Sequence, residues 1–167
     1  MGAVVVGVLA GSRRGGRLDW LVLALSVALS AIPSFWLALL LILGLAFAWP
    51  IFPAYGTVDP RLTPGLSGAY VLSLLRHAIL PLSVLTLSPA VANAVVARMA
   101  TIDVLSQPYL LTARAKGLSE RAVLLRHVLR NVMLPWTTNL GLQFGHILGN
   151  TVVLETVFSW QGLGMLM

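Results

Sequence analysis

"WLVLALSVALSAIPSFWLALLLILGLAFAWPIFPAYGTV", residues 20–58, runs for 39 positions without a charged side chain. A helix of about 20 apolar residues crosses the ~30 Å hydrocarbon core of a bilayer, so this stretch alone selects a membrane environment. Two further charge-free windows, residues 77–97 (21 long) and 131–154 (24 long), are also sufficient, whereas residues 1–12 are not. The whole 167-residue chain agrees, being 58% hydrophobic and 10% charged, against about 25% charged in soluble domains. The expected fold class is an all-α integral membrane protein.

The charges that do occur are ordered. If the spans lie at residues 20–49, 77–97 and 132–158, nine of the eleven basic residues fall on one side: Arg13, Arg14, Arg17, Arg98, Arg114, Lys116, Arg121, Arg126 and Arg130. Arg61 and Arg76 fall on the other. The positive-inside rule makes the first side cytoplasmic. Residues 20–49 would make a helix ~45 Å long, so the span must tilt, kink or protrude, and Pro33 supplies a kink. Trp20 and Trp49 suit interfacial anchors. Residues 1–11 read as the second half of a span, and the Pro- and Gly-punctuated residues 50–70 as an outer loop.

Composition excludes other classes. The high pI of 11.2 does not mark a nucleic-acid binder, because the basic residues sit between apolar runs and are not interleaved with aromatics on a polar surface. No cysteine is present, which removes disulfides and thiolate chemistry. Residues 1–11 lack the basic leading segment of a signal peptide. There is no phosphate loop around the single Lys116, no G-x-S-x-G turn and no H-E-x-x-H pair, so no catalytic residue, cofactor or metal site is expected. His77, His127 and His146 fall in three different compartments of the topology.

Residues 98–131 are too patterned for a tether. Pro108 suits the first turn of a helix, and Gly117 suits a left-handed helix end. Ser119 suits the N-cap of a second helix, with Glu120 in its first turn. Leu118, Ala122, Leu125 and Leu129 recur at helical spacing as an apolar stripe, with Arg126, His127 and Arg130 opposite. Such a helix–Gly–helix pair is either an amphipathic element lying on lipid or a docking element whose small residues Ala113, Ala115 and Gly117 admit a partner closely.

In the last window, Asn139, Gln143, His146 and Asn150 share one helix face. Polar groups in a bilayer line a water-filled path or bond neighbouring helices, and both readings stand. Gly141, Gly145 and Gly149 repeat a small-xxx-small pattern suited to helix packing. Glu155, near the outer end, is expected as a solvated interfacial carboxylate, with Arg76 as the alternative partner.

"YLLTARAKGLSERAVLLRHVLRNVMLP" (residues 109–135), "LETVFSWQGLG" (154–164) and "IPSFWLALLLI" (32–42) together resemble permease subunits of binding-protein-dependent ABC importers, in the dipeptide/oligopeptide/nickel branch. The matching motif positions are Ala113, Gly117 and the pair Leu134 and Pro135. Leu111 stands where the general motif has an acidic residue, and Gln161 where the branch has proline. The resemblance implies a single permease domain over residues 1–167, with about three full spans and an N-terminal half-span of a six-span protein. It implies a cytoplasmic (inner) membrane of bacteria or archaea and transport of peptides, nickel or a related small solute. The implied partners are two ATPase subunits, a second permease subunit, identical or homologous, and an extracytoplasmic solute-binding protein. It places Thr112, Ala113, Lys116, Gly117 and Leu118 in the ATPase contact, with ATP hydrolysis in the partner. Without the resemblance, a small membrane interaction or channel-forming protein lacking energy coupling fits the same composition.

Overall fold

The computed structural model describes residues 1–162 and Gly164, apart from the side chains of His146 and Leu148. Every regular element among them is helical: α1 (Gly2–Ser12), α2 (Arg17–Ala31), α3 (Ser34–Ile42) with a π-helical continuation (Leu43–Ala48), α4 (Gly68–Leu105), α5 (Pro108–Ala115), α6 (Glu120–Val123) with a π turn (Leu124–Val128), and α7 (Leu129–Phe158). The all-α class is therefore observed.

The element boundaries depart from expectation in instructive ways. At Pro33 the chain does more than kink: α2 stops at Ala31, and Pro33, at φ −58° and ψ 145°, becomes the cap from which α3 restarts. Proline disfavours helical geometry in the residue before it, which is why Ile32 ends up outside both helices. Residues 71–75 are part of α4, whose 38 residues run well beyond 77–97 at both ends. α4 holds its helix through Pro81 and Pro89, although each proline lacks an N–H for the carbonyl four residues earlier. By length and hydropathy α4 alone among the described residues qualifies as a free-standing span, its best window averaging 1.8, and α2 with α3 qualifies only when the two are taken together. α7 has the length but is not apolar enough by itself, as its Asn, Gln and Gly content dictates.

The residues form two compact units. The first comprises Met1–Ser30 and Ser88–Phe144. Its core joins Val4 and Val8 of α1, Ala97 of α4, Leu110 of α5, Val123 and Val128 on the α6 and π segments, and Val132 and Trp136 of α7. The fully buried positions thus step 123, 128, 132, 136, while of the expected stripe Leu118 and Leu129 are half-buried against this core and Ala122 is half-buried. Leu125 is 56% exposed. The cause is the π turn: i→i+5 bonding inserts one residue into the helical repeat, so the apolar register advances by five there and by four afterwards.

In this unit α1 and α4 approach closely. Gly7 and Gly11, four residues apart, lie directly on α4: a Cβ at Gly7 would come 2.6 Å from the Ala97 Cβ, and one at Gly11 would come 2.7 Å from the Arg98 carbonyl oxygen. This is the small-xxx-small geometry that lets backbones approach. Asp19 of α2 pairs with Arg98 of α4, accepting from its Nε and, at 3.0 Å, from its Nη2, while the Gly15 N–H also donates to Asp19 at 2.9 Å. Both side chains are largely buried.

The second unit comprises Ala31–Leu87 and Gly145–Met167. Residues 49–67 form its loop, and it is anchored at several points. The Gly56 N–H, at φ +87°, donates to the Phe158 carbonyl at 2.9 Å. Arg76 Nη2 donates to the Ile51 carbonyl at 3.2 Å, and the Asp59 N–H donates to Ser73 Oγ at 2.9 Å. Trp49 of this unit is exposed, as is Trp20 of the first.

Candidate functional site

The helix–Gly–helix element is built by local rules. Pro108 opens α5 where its missing N–H costs nothing. At the other end Gly117, at φ +80°, takes the left-handed position. Its N–H donates to the Arg114 carbonyl at 2.9 Å and the Leu118 N–H to the Ala113 carbonyl at 3.3 Å, the two bonds of a Schellman motif. Ser119 then caps α6, its hydroxyl accepting from the Ala122 N–H at 3.3 Å. Arg114 closes the turn onto Glu120, Nε to Oε1 at 2.7 Å. That hydrogen bond holds the Glu120 carboxyl below the usual glutamate range. Finally Tyr109 ties α5 to α7: its hydroxyl accepts from Asn131 Nδ2 at 3.0 Å, and the same amide donates to the His127 carbonyl at 2.8 Å.

The five residues expected to make a partner contact divide into two groups. Thr112, Lys116 and Gly117 are exposed, whereas Ala113 is buried and Leu118 is half-buried against the core. Ala113 lies on the buried side of α5 with Leu110. Leu111 (68% exposed) and Ala115 complete the outward surface instead. Leu111 carried no signal beyond its departure from an acidic motif position.

The polar face of α7 is partly occupied. Asn93 on α4, itself buried, donates to Gln143 Oε1 at 2.7 Å and to the Pro89 carbonyl at 2.8 Å, and accepts from Asn139 Nδ2 at 3.0 Å. Asn139 and Gln143 therefore bond α7 to α4. Asn150 is exposed, and the side chain of His146 lies outside the described residues. Asn93 was missed from sequence because it is a lone amide in an apolar run, and its partners are 46 and 50 residues away.

Among the described residues, no atom outside its own helix backbone and chain neighbours lies within 4 Å of where a Cβ would sit on Gly141, Gly145 or Gly149. The close packing was instead at Gly7 and Gly11. Glu155 is also not the solvated carboxylate expected: it is 5% exposed, Oε1 accepts from the Gly164 N–H at 3.0 Å, and a Cβ on Gly162 would come 2.6 Å from its carboxyl carbon. Glycines at 162 and 164 allow the chain to fold over it, while Arg76 is engaged with Ile51. Among the described residues no cluster of His, Asp or Glu could hold a metal ion.

The profile of the family described as "Binding-protein-dependent transport system inner membrane component" matches residues 3–167. The chain is 34% identical over 177 aligned residues to the dipeptide transport system permease protein of Escherichia coli, covering 96% of this chain and 52% of that one. It is 37% identical over 175 residues to the di/tripeptide transport system permease protein of Pseudomonas aeruginosa, with the same coverages. A 94-residue stretch, 55% of this chain and 30% of the relative, is 52% identical to the glutathione transport system permease protein of Salmonella choleraesuis. The chain thus spans about half the length of the first two relatives.

Proposed function

The chain belongs to the family of binding-protein-dependent transport system inner membrane components, and from that premise we propose that it forms part of the solute path of an ABC importer. The solute is a peptide or a related small molecule, by analogy with the dipeptide, di/tripeptide and glutathione permeases it resembles. It performs no chemistry: two ATPase subunits hydrolyse ATP, a solute-binding protein delivers outside, and a second permease subunit completes the path. The chain crosses a bacterial inner membrane several times with its nine-arginine-and-lysine side in the cytoplasm, as charge placement supports.

The observation that carries the reading is the α5–Gly117–α6 element. Its fold is set by a Schellman turn, a serine cap and an ion pair, yet it presents Leu111, Thr112, Ala115, Lys116 and Gly117 to the outside. A rigid element with an apolar and cationic surface suits docking into a partner groove. Ala113, Leu118 and Tyr109 hold it on the core from beneath. Closure of the ATPase pair would push this element, and the core shared by α1, α4, α5 and α7 would carry the push into the helices. Asn139 and Gln143 serve the α4–α7 contact; Asn150, which is exposed, is left to line the path. Gly141, Gly145 and Gly149 offer a face for another helix.

The test is Gly117→Arg in the complete transporter, which places a bulky side chain at a left-handed position on the docking face. ATPase retention on membranes and solute uptake should both fall. Retained ATPase and normal uptake would refute the docking role. Topology is checked separately, since a chain without cysteine allows Leu66→Cys and Leu111→Cys to be labelled without background. Only the second should react from the cytoplasmic side.

A further inference from the structure

Beside the docking element lies an open groove of about 760 Å³, lined by Leu118, Leu125, Arg126, His127, Arg130 and Asn131. Its polar groups are unequal. Asn131 is spent on Tyr109 and the His127 carbonyl, and the rings of Tyr109 and His127 stand 6.4 Å apart, so one wall is preset. The side chains of Arg126 and Arg130, both exposed, make no hydrogen bond or ion pair among the described residues. By contrast Arg98 and Arg114 are each neutralised by a carboxylate. Two guanidinium groups one turn apart, with no counter-charge of their own, form a fork for a phosphate.

Depth and continuity specify where that phosphate comes from. With α7 entering hydrocarbon near Val132, Arg130 lies ~3 Å and Arg126 ~9 Å below the boundary at 1.5 Å per residue. The headgroup layer on each side is roughly 5–8 Å thick. Above Arg130, and only about 40° round the helix from it at 3.6 residues per turn, Leu134 is 75% exposed and ~6 Å higher. One leaflet of hydrocarbon is about 15 Å. We propose that the Arg126–Arg130 groove seats an anionic phospholipid of the cytoplasmic leaflet, its phosphate between the two guanidinium groups and an acyl chain against Leu134. An acidic protein surface would match the arginines but would leave Leu134 against headgroups. The seat rests on the proposed topology, and it places a lipid next to the element that couples to ATP.

The experiment reconstitutes the complete chain in nanodiscs or mild detergent and measures retained lipid by native mass spectrometry, with phosphatidylglycerol, phosphatidylcholine and inorganic phosphate as probes. Wild type should retain phosphatidylglycerol over phosphatidylcholine and bind inorganic phosphate weakly. Arg126→Gln with Arg130→Gln should weaken phosphatidylglycerol retention on the order of thirtyfold, at about fivefold per arginine. Arg121→Gln, which removes the same charge from the same element but outside this groove, should change little. Arg126→Lys with Arg130→Lys guards against misfolding and should keep most of the retention. Equal retention of both lipids by wild type overturns the proposal, as does an equal loss in Arg121→Gln or a double glutamine variant that loses an ATPase subunit while keeping its lipid. If Leu111→Cys labels from the cytoplasm while lipid preference is absent, the seat fails and the topology survives.

Discussion

Replacing Asn93 by leucine tests whether the polar face of α7 is bonded to α4 or open to solute. The substitution keeps the side-chain size and removes two interhelical bonds at once, to Gln143 at 2.7 Å and from Asn139 at 3.0 Å, together with the 2.8 Å bond to the Pro89 carbonyl in its own helix. Interhelical polar bonds in membranes average ~0.6 kcal/mol with a maximum of ~1.7. Asn93→Leu should therefore cost about 1.2 kcal/mol, up to ~3.4 if both bonds are at the upper limit, because Asn139 and Gln143 are left without that partner. Gln143→Leu removes one bond and should cost about 0.6–1.7 kcal/mol. The decisive quantity is the coupling in the double variant. If the bond is real, the two costs overlap by about 0.6–1.7 kcal/mol, well outside the ~0.3–0.5 kcal/mol scatter of independent sites. The assay is reversible unfolding of the reconstituted protein in mixed micelles across the four-member cycle. Strictly additive costs would refute the contact. If the stabilities were unaffected while uptake fell, the amides would belong to the solute path and the assignment of Asn139 and Gln143 to the helix contact would be overturned.

The two glycine patterns should respond in opposite ways: Gly7→Val collides with Ala97 and should destabilise by about 1–3 kcal/mol, whereas Gly141→Ala meets nothing within 4 Å and should gain up to ~1 kcal/mol from helix propensity. Thermal unfolding of the isolated chain distinguishes them, and loss of subunit assembly in Gly141→Ala would mark that face as a packing surface. Asp19→Asn leaves Arg98 largely buried without its counter-charge and should cost about 3–5 kcal/mol, with no comparable loss in the exchanged pair Asp19→Arg, Arg98→Asp if the charge pairing is what matters. The Arg114–Glu120 turn carries a pH dependence: the folded carboxyl titrates below the usual glutamate value of 4.5, so the pair's contribution is present above pH 4.5 and is lost as pH falls through the lower folded value. Hydrogen exchange at residues 114–122 should accelerate in that acid range, and Glu120→Gln should abolish the dependence.

What could be read from the chain in advance shares one property, in that its cause is local or purely compositional. Charge-free windows and arginine placement need only counting. Pro108, Gly117 and Ser119 act on backbone groups within five residues, so the ends of α5 and α6 came out where their residues indicated. The exception is equally physical: a stripe drawn at an even 3.6-residue period cannot anticipate the π turn at Leu124–Val128, which turned Leu125 outward and put Val123, Val128 and Val132 inside.

Tertiary structure alone decided between side chains of the same kind. Both Gly7–Gly11 and Gly141–Gly149 offer the helix-packing spacing, but only the first pair meets another helix within the described residues. Four polar residues share a face of α7, yet which of them are bonded depends on Asn93, some fifty positions away in an otherwise apolar run. Glu155 reads as a carboxylate at a membrane edge until the backbones of Gly162 and Gly164 come to lie against it. Hydrophobicity acts on every apolar atom alike and so is legible from composition, whereas hydrogen bonds and close backbone contacts exist only between particular atoms that the folded chain brings within about 3 Å.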